Sequence, residues 1–394
     1  MIAATKWHLA GDTAGPADAV SLCLGHDPGL AGLYRGVTAF SDALDAPVLS
    51  VEPTKRVYGP CEGQVLRLEA TGGLATLAPH YLNRSADIAT ESLLHDTRLL
   101  VVHSLFRGHA EFAMRWAAER GKHYWAVPHG CLDPWGMSQR RMQKRLWMAA
   151  IGGRYVAHAD RLIFASRREA EKASAWTRGA RTAVVHFPVH LPDRGHQDTA
   201  RKSLRDKLGL SESLRILAYV GRLAGMKRPQ ALLQAFLRAE AENVALVFVG
   251  ADGDITSAEL ERVIPPSAAG RIHFTGALHG DDLDEAFLAA DGFISLSHRE
   301  NFGFSLAEAC AHGLPIIATP GHDLVHEMPT GGGAAGGVGW VLPDLSEAAA
   351  VQAMQAFAAA SESHLRCMGQ NARLWAADRL SPEVFRRRLA ELVP

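Results

Sequence analysis

Short apolar runs alternate along this chain with longer stretches whose apolar residues recur at helical spacing. Residues 19–24 read as a strand, 34–44 as a helix and 47–51 as a second strand. A strand at 98–102, a helix at 108–119, and strands at 123–127, 161–165 and 182–186 continue the pattern. It breaks at 188–199, where Pro188, Pro192, Asp193, Gly195 and His196 read as a linker. It resumes with strands at 214–220, 244–249, 271–274, 292–296 and 315–318. Helices at 229–240, 281–289 and 304–311 fall between them, the first opened by Pro229. A glycine-rich loop at 330–338 precedes helical stretches at 346–360, 362–378 and 382–392. This alternation predicts an α/β architecture with mostly parallel sheets covered on both faces. Two such blocks joined by a linker predict two domains. In open α/β sheets ligands sit beyond the C-terminal ends of the strands, so site residues are sought just after strands.

Composition changes that picture little. The chain has 394 residues, 47% hydrophobic and 21% charged, which suits ordinary globular cores. A formal net charge of −1 makes no electrostatic case for nucleic-acid binding. Cys23, Cys61, Cys131, Cys310 and Cys367 are scattered, without a CxxC pair, so neither a disulfide framework nor a zinc site is expected and a reducing compartment fits. Residues 1–12 lack the apolar core of a signal peptide, and no apolar run approaches the roughly 20 residues that span a bilayer. The expected setting is cytoplasmic.

Two post-strand stretches carry charge. Gly221-Arg222-Leu223-Ala224-Gly225-Met226-Lys227 follows the strand at 214–220. A guanidinium fork and an ammonium in a glycine-bearing loop suit a diphosphate; a solvated basic turn is the plainer alternative. His298-Arg299-Glu300-Asn301-Phe302-Gly303-Phe304-Ser305-Leu306-Ala307-Glu308 follows the strand at 292–296. It reads as a glycine turn into a helix start, where the N–H groups of Phe304, Ser305 and Leu306 can meet an anion. Glu300 and Glu308 flank that turn. They could be an acid/base pair, a loop charge and a first-turn carboxylate, or acceptors for sugar hydroxyls; an anion-ready helix start between them favours the last.

These residues, with His273-Phe274-Thr275-Gly276, Ala289-Ala290-Asp291 and Ala309-Cys310-Ala311-His312-Gly313-Leu314-Pro315, resemble the retaining glycosyltransferases of family 4. The resemblance is dense over 214–345 and extends to bacterial cell-surface polysaccharide enzymes. It implies a GT-B fold: two Rossmann-like domains whose parallel sheets face each other across a cleft. The expected domains are an acceptor-side domain at 1–190 and a nucleotide-sugar domain at 197–378, with a helix at about 380–394 packing back on the first. By this resemblance Arg222 and Lys227 hold the donor diphosphate, Glu308 the ribose hydroxyls and Glu300 those of the donor sugar. Backbone groups of Phe304, Ser305 and Leu306 meet phosphate and sugar oxygens, and Leu278 lies against the base.

In the first half, Gly29-Leu30-Ala31-Gly32 resembles the family's first glycine turn, with close backbone approach resting on Gly32. His103 and His129 each follow a strand and resemble family positions that contact sugar, His129 with a catalytic role; a packed structural histidine is the alternative for each. Arg107, Asp133 and Trp135 are acceptor-side candidates, or ordinary loop packing. Asp252-Gly253-Asp254 matches a DxD metal motif and is discounted, because Arg222 and Lys227 already supply the charge a metal would bring. The basic stretch 140–148 reads either as a peripheral contact with the inner membrane surface or as a solvated helix face.

The implied activity is transfer of a sugar from a nucleotide-diphosphate donor, without cofactor or metal, to a saccharide or lipid-linked saccharide acceptor in exopolysaccharide, capsule or lipopolysaccharide synthesis. A GT-B sugar-nucleotide epimerase and a silent sugar-nucleotide-binding module are the alternatives.

Overall fold

The computed structural model describes residues 6–10, 18–23, 32–52, 65–71, 93–106, 108–329 and 336–393. Residues 29–31 of the first glycine turn, Arg107, Cys61 and residues 330–335 lie outside them. The chain divides into two units, Met1–Phe187 with Phe385–Pro394, and Pro188–Val384.

The first unit is built on eight strands: β1 (Lys6–Ala10), β2 (Ala19–Cys23), β3 (Val48–Glu52), β4 (Val65–Thr71), β5 (Leu99–His103), β6 (His123–Val127), β7 (Arg161–Phe164) and β8 (Thr182–Val184). Their order in the sheet is β1-β4-β3-β2-β5-β6-β7-β8. All neighbours pair in parallel except β1 on β4, an antiparallel edge the apolar pattern did not announce. β2 and β5 are buried along their whole length, which is why they read as unbroken apolar runs. Val20, Leu100, Trp116, Tyr124, Tyr155 and Phe164 lead the core on one side. Phe385, from the last helix, packs edge-on against Phe40 at 5.2 Å.

The second unit carries six parallel strands: β9 (Arg215–Val220), β10 (Val244–Val249), β11 (Ile272–Gly276), β12 (Gly292–Ser295), β13 (Ile316–Ala318) and β14 (Gly339–Val341). Their order is β11-β10-β9-β12-β13-β14. Helices Pro229–Ala239 and Glu347–Ala359 pack on this sheet through Leu232, Phe236, Met354 and Phe357. The segment expected to be a linker as far as residue 199 instead starts helix Gln197–Leu208, a strongly polar helix that buries Ala200 and Leu204.

Both sheets run outward in two directions from a central pair, β2 and β5 in the first and β9 and β12 in the second. Crevices form at such reversals of strand order, at the C-terminal ends of the strands.

Candidate active site

At the reversal in the second unit, the loops after β9 and β12 are joined. His298 N–H donates to Met226 O at 2.8 Å. Lys227 Nζ donates to Glu300 Oε1 at 2.5 Å, with both side chains about one-fifth to one-quarter exposed. The two charges singled out in separate loops are therefore one ion pair. Burial pushes the Glu300 carboxyl upward, but the Lys227 ammonium, with His322 and Arg299, outweighs it and holds the group below the usual carboxylate range. Arg222 is exposed at the start of the β9 loop, and among the described residues no carboxylate forms an ion pair with it. The buried Tyr219 hydroxyl donates to Arg222 O at 2.9 Å and fixes that loop from below.

Glu300 passes the chain to helix Phe304–Ala311 through Gly303, which sits at φ +79° and supplies no side-chain cap. Phe304, Ser305 and Leu306 thus begin a helix with no side-chain cap and no acidic residue in its first turn, so the positive end of its dipole is not neutralised from within that turn. Glu308 follows one turn later, half-buried. Leu278 lies half-buried two residues beyond β11, at the far side of the same sheet.

Two supporting residues, His322 and Thr319, escaped the sequence reading, and two others, Asp252 and Asp254, take a different role from the motif they match. His322, fully buried after β13, accepts or donates at Ser295 Oγ at 2.9 Å. Its Nδ1 would lie 2.9 Å from a Cβ on Gly303, so a side chain there would strike the imidazole. Burial lowers the His322 pKa to about 4, against the upward pull of Glu300 and with the downward push of Lys227, so the ring is neutral near pH 7. Thr319 donates to Ser297 O at 2.5 Å, continuing this buried polar support under the turn. Asp254, half of the DxD match, accepts from Gly225 N–H at 3.1 Å, and Asp252 accepts from Ser257 N–H at 2.8 Å. The motif's carboxylates brace backbone, and one of them braces the Lys227 loop.

The first unit brings His103 and His129 together: His103 Nδ1 and His129 Nε2 are 2.9 Å apart. His129 is half-buried at φ 50°, stacked on Phe187 at 5.5 Å. A Cβ on Gly36 would lie 2.6 Å from His129 Cε1, so helix Gly32–Leu44 reaches the imidazole through a position without a side chain. Burial pushes the His129 pKa down to about 3. Glu169, buried, holds the turn by accepting from Gly130 N–H and Ala165 N–H at 2.7 Å each.

The other first-unit candidates separate. Gly32 is exposed at the start of its helix. His103 is wholly buried, with its Nδ1 against His129. Asp133 is likewise withdrawn from the surface. It is buried, caps helix Pro134–Ser138 through Trp135 N–H and faces Lys172 at 3.3 Å, so its carboxylate is already committed. Trp135 is 51% exposed.

Residues 200–375 match the family described as glycosyl transferases group 1. This stretch is a glycosyl transferases group 1 domain. Over 178 residues the chain is 33% identical to the D-inositol 3-phosphate glycosyltransferase of Mycolicibacterium gilvum, covering 43% of this chain and 39% of that protein. The chain spans about two fifths of the length of the curated relatives it matches. Among solved structures it is similar to Anabaena HepE in complex with UDP and glucose, with a TM-score of 0.71 and 16% identity over 95% of this chain and 98% of that one. It is also similar to the sucrose-phosphate synthase of Thermosynechococcus elongatus, with a TM-score of 0.68 and 18% identity over 95% and 98% of the two chains. The fold is the two-domain α/β fold of the GT-B glycosyltransferases.

Proposed function

We propose that the protein is a retaining, metal-independent glycosyltransferase that moves a hexosyl group from a nucleoside-diphosphate sugar to a saccharide acceptor. The observation that carries this reading is the Lys227–Glu300 pair at 2.5 Å, set at the reversal of strand order beside the uncapped start of helix Phe304–Ala311. A cation, a hydroxyl-accepting carboxylate and a helix N-terminus at one point match a diphosphate joined to a sugar.

Lys227 and Arg222 bind the diphosphate, and the N–H groups of Phe304, Ser305 and Leu306 take its remaining oxygens. Glu300, kept ionised by Lys227, accepts from hydroxyls of the donor sugar. Glu308 takes the ribose hydroxyls, and Leu278 supplies an apolar surface for the base. In the reaction the bond from the anomeric carbon to the phosphate oxygen breaks, and the acceptor oxygen bonds to the same face of that carbon. The acceptor proton passes to the departing phosphate oxygen. Arg222, Lys227 and the helix end stabilise the charge growing on that leaving group. Charge already present in these residues makes a metal unnecessary, and Asp252 and Asp254 serve the backbone instead. His129, neutral and backed by His103, orients a sugar hydroxyl in the first unit. The acceptor belongs to cell-surface polysaccharide synthesis, the setting of the enzymes the first half resembles.

The test incubates the chain with nucleotide-sugar donors and oligosaccharide acceptors, inositol phosphate included because a relative's name carries it, and follows product by NMR. The expected product keeps the donor's anomeric configuration without added divalent cation. An inverted product, or turnover requiring a metal, would overturn the reading.

A further inference from the structure

Residues 134–159 contain five Lys and Arg (Arg140, Arg141, Lys144, Arg145 and Arg154) and no Asp or Glu, in a chain whose formal net charge is −1. Four of the five lie at one elbow of the first unit. Arg140, at φ 52°, breaks the chain between helices Pro134–Ser138 and Arg141–Trp147. Lys144 closes the elbow from inside, donating to Gly136 O at 2.5 Å with its ammonium 4.9 Å over the Phe106 ring. Arg140, Arg141 and Arg145 remain exposed, and among the described residues none of them forms an ion pair.

The same elbow leaves apolar side chains in solvent. Met142 is 75% exposed, Leu146 one turn on is 65% exposed, and Trp135 is 51% exposed. These are three of the seven large apolar side chains exposed among the described residues. The helix Arg141–Trp147 buries none of its residues, so neither stripe serves a core. Beside them lies a cavity of about 330 Å³ whose lining includes Met137, Arg141, Arg145, Lys172 and Trp176.

We infer that this face docks on an anionic lipid surface. Uncompensated cations, with Trp, Met and Leu projecting beside them, are what an in-plane interfacial element presents: charges for the headgroup phosphates and apolar tips for the acyl boundary. A protein interface of ordinary kind places its charges at the rim and packs its apolar centre. Here Met142 and Leu146 alternate with Arg141 and Arg145 on one short helix. The cavity gives one headgroup phosphate a seat beside Arg141 and Arg145. This inference stands apart from the donor site, since it concerns the first unit and needs no nucleotide.

The test is co-sedimentation of the full chain with phosphatidylcholine vesicles and with vesicles that also contain phosphatidylglycerol. The wild type should sediment with the anionic vesicles only, and added salt should release it. Each cation near such a surface contributes about fivefold to partitioning, so Arg141→Glu with Arg145→Glu should weaken binding by at least about 25-fold. Met142→Gln with Leu146→Gln should weaken it while leaving the salt dependence in place. All four positions are exposed or outside the core, and an unchanged melting temperature confirms that each variant folds. Equal binding to neutral and anionic vesicles, wild-type binding by the charge-reversed variant, or no vesicle binding at all would overturn the inference. So would release by millimolar inorganic phosphate at constant ionic strength, which would mark a soluble-phosphate site.

Discussion

The two points where strand order reverses make a comparison within one molecule. In the second unit, the loops beyond β9 and β12 end in opposite charges, Lys227 and Glu300, joined at 2.5 Å and open in part to solvent. In the first unit, β5 and its neighbour β6 end in two imidazoles, His103 and His129, joined at 2.9 Å and pressed between Phe40 and Phe187. The strand ends of the two units have been given two chemistries. One is ionic, and Lys227 holds the Glu300 carboxyl below the usual carboxylate range. The other is neutral, because burial drives the His129 pKa to about 3 and nothing nearby restores it. The lesson is one of division of labour. Under the proposed function, stabilising a leaving diphosphate calls for standing charge, whereas orienting hydroxyls does not.

The largest expected effect separates the two points by activity. Lys227→Ala and Glu300→Ala should each lower kcat/KM by about 10²–10³-fold, the scale of losing one electrostatic contact in a transition state. The double variant should lose far less than the product of the two, because the residues act as a pair. His129→Gln should cost about tenfold. Equal losses at His129 and Lys227 would erase the distinction between an ionic and a neutral point.

Gly303→Ala comes next. Its φ of +79° and the 2.9 Å approach of His322 Nδ1 make any side chain there both strained and crowded. A loss of about 1–3 kcal/mol in stability is expected, read by denaturant unfolding, together with weaker nucleotide-sugar binding. Gly36→Ala, whose Cβ would meet His129 at 2.6 Å, should disturb the first unit without touching donor binding.

Acidification gives a third test. The folded pKa values of His129 and His322 lie near 3 and 4, below the ordinary 6.5. Between those values the unfolded chain binds protons that the folded chain refuses, so stability is complete above about pH 6.5 and falls as pH drops toward 4. Glu300, held low by Lys227, adds a loss of the same sign at lower pH. Melting temperature followed against pH should slope downward across that window, and His322→Asn should flatten the slope. The smallest effect is expected at Asp254→Asn, which loosens the Gly225 loop and should raise the donor KM by less than about tenfold.

Much of this was legible beforehand. The central strands declared themselves because burial on both faces makes them uniformly apolar, and charged residues just beyond their ends stood out against that background. Arg222, Lys227, Glu300 and Glu308 were visible for this reason. Helix Gln197–Leu208 was not, since it is polar over most of its surface and follows two prolines. The edge formed by β1 and β4 was hidden because antiparallel pairing is a matter of backbone, between segments some sixty residues apart. The supporting side chains were hidden for a third reason. Glu169, Asp254 and His322 act on backbone amides or buried hydroxyls, and nothing in a residue's own name says which amide lies 3 Å away. Asp254 shows the hazard: a metal-like motif in one dimension is a loop brace in three.

The measurement that bears most directly on the account is thermal stabilisation by nucleoside-diphosphate sugars, run in parallel on the wild type and on Lys227→Ala. Binding at a hundredfold excess over Kd adds about 2.7 kcal/mol to the native state, a shift of several degrees. The account predicts that at least one such donor raises the wild-type melting temperature and that Lys227→Ala, folded and otherwise as stable, loses the shift. An equal shift in both proteins, or none from any donor in the wild type, would contradict it.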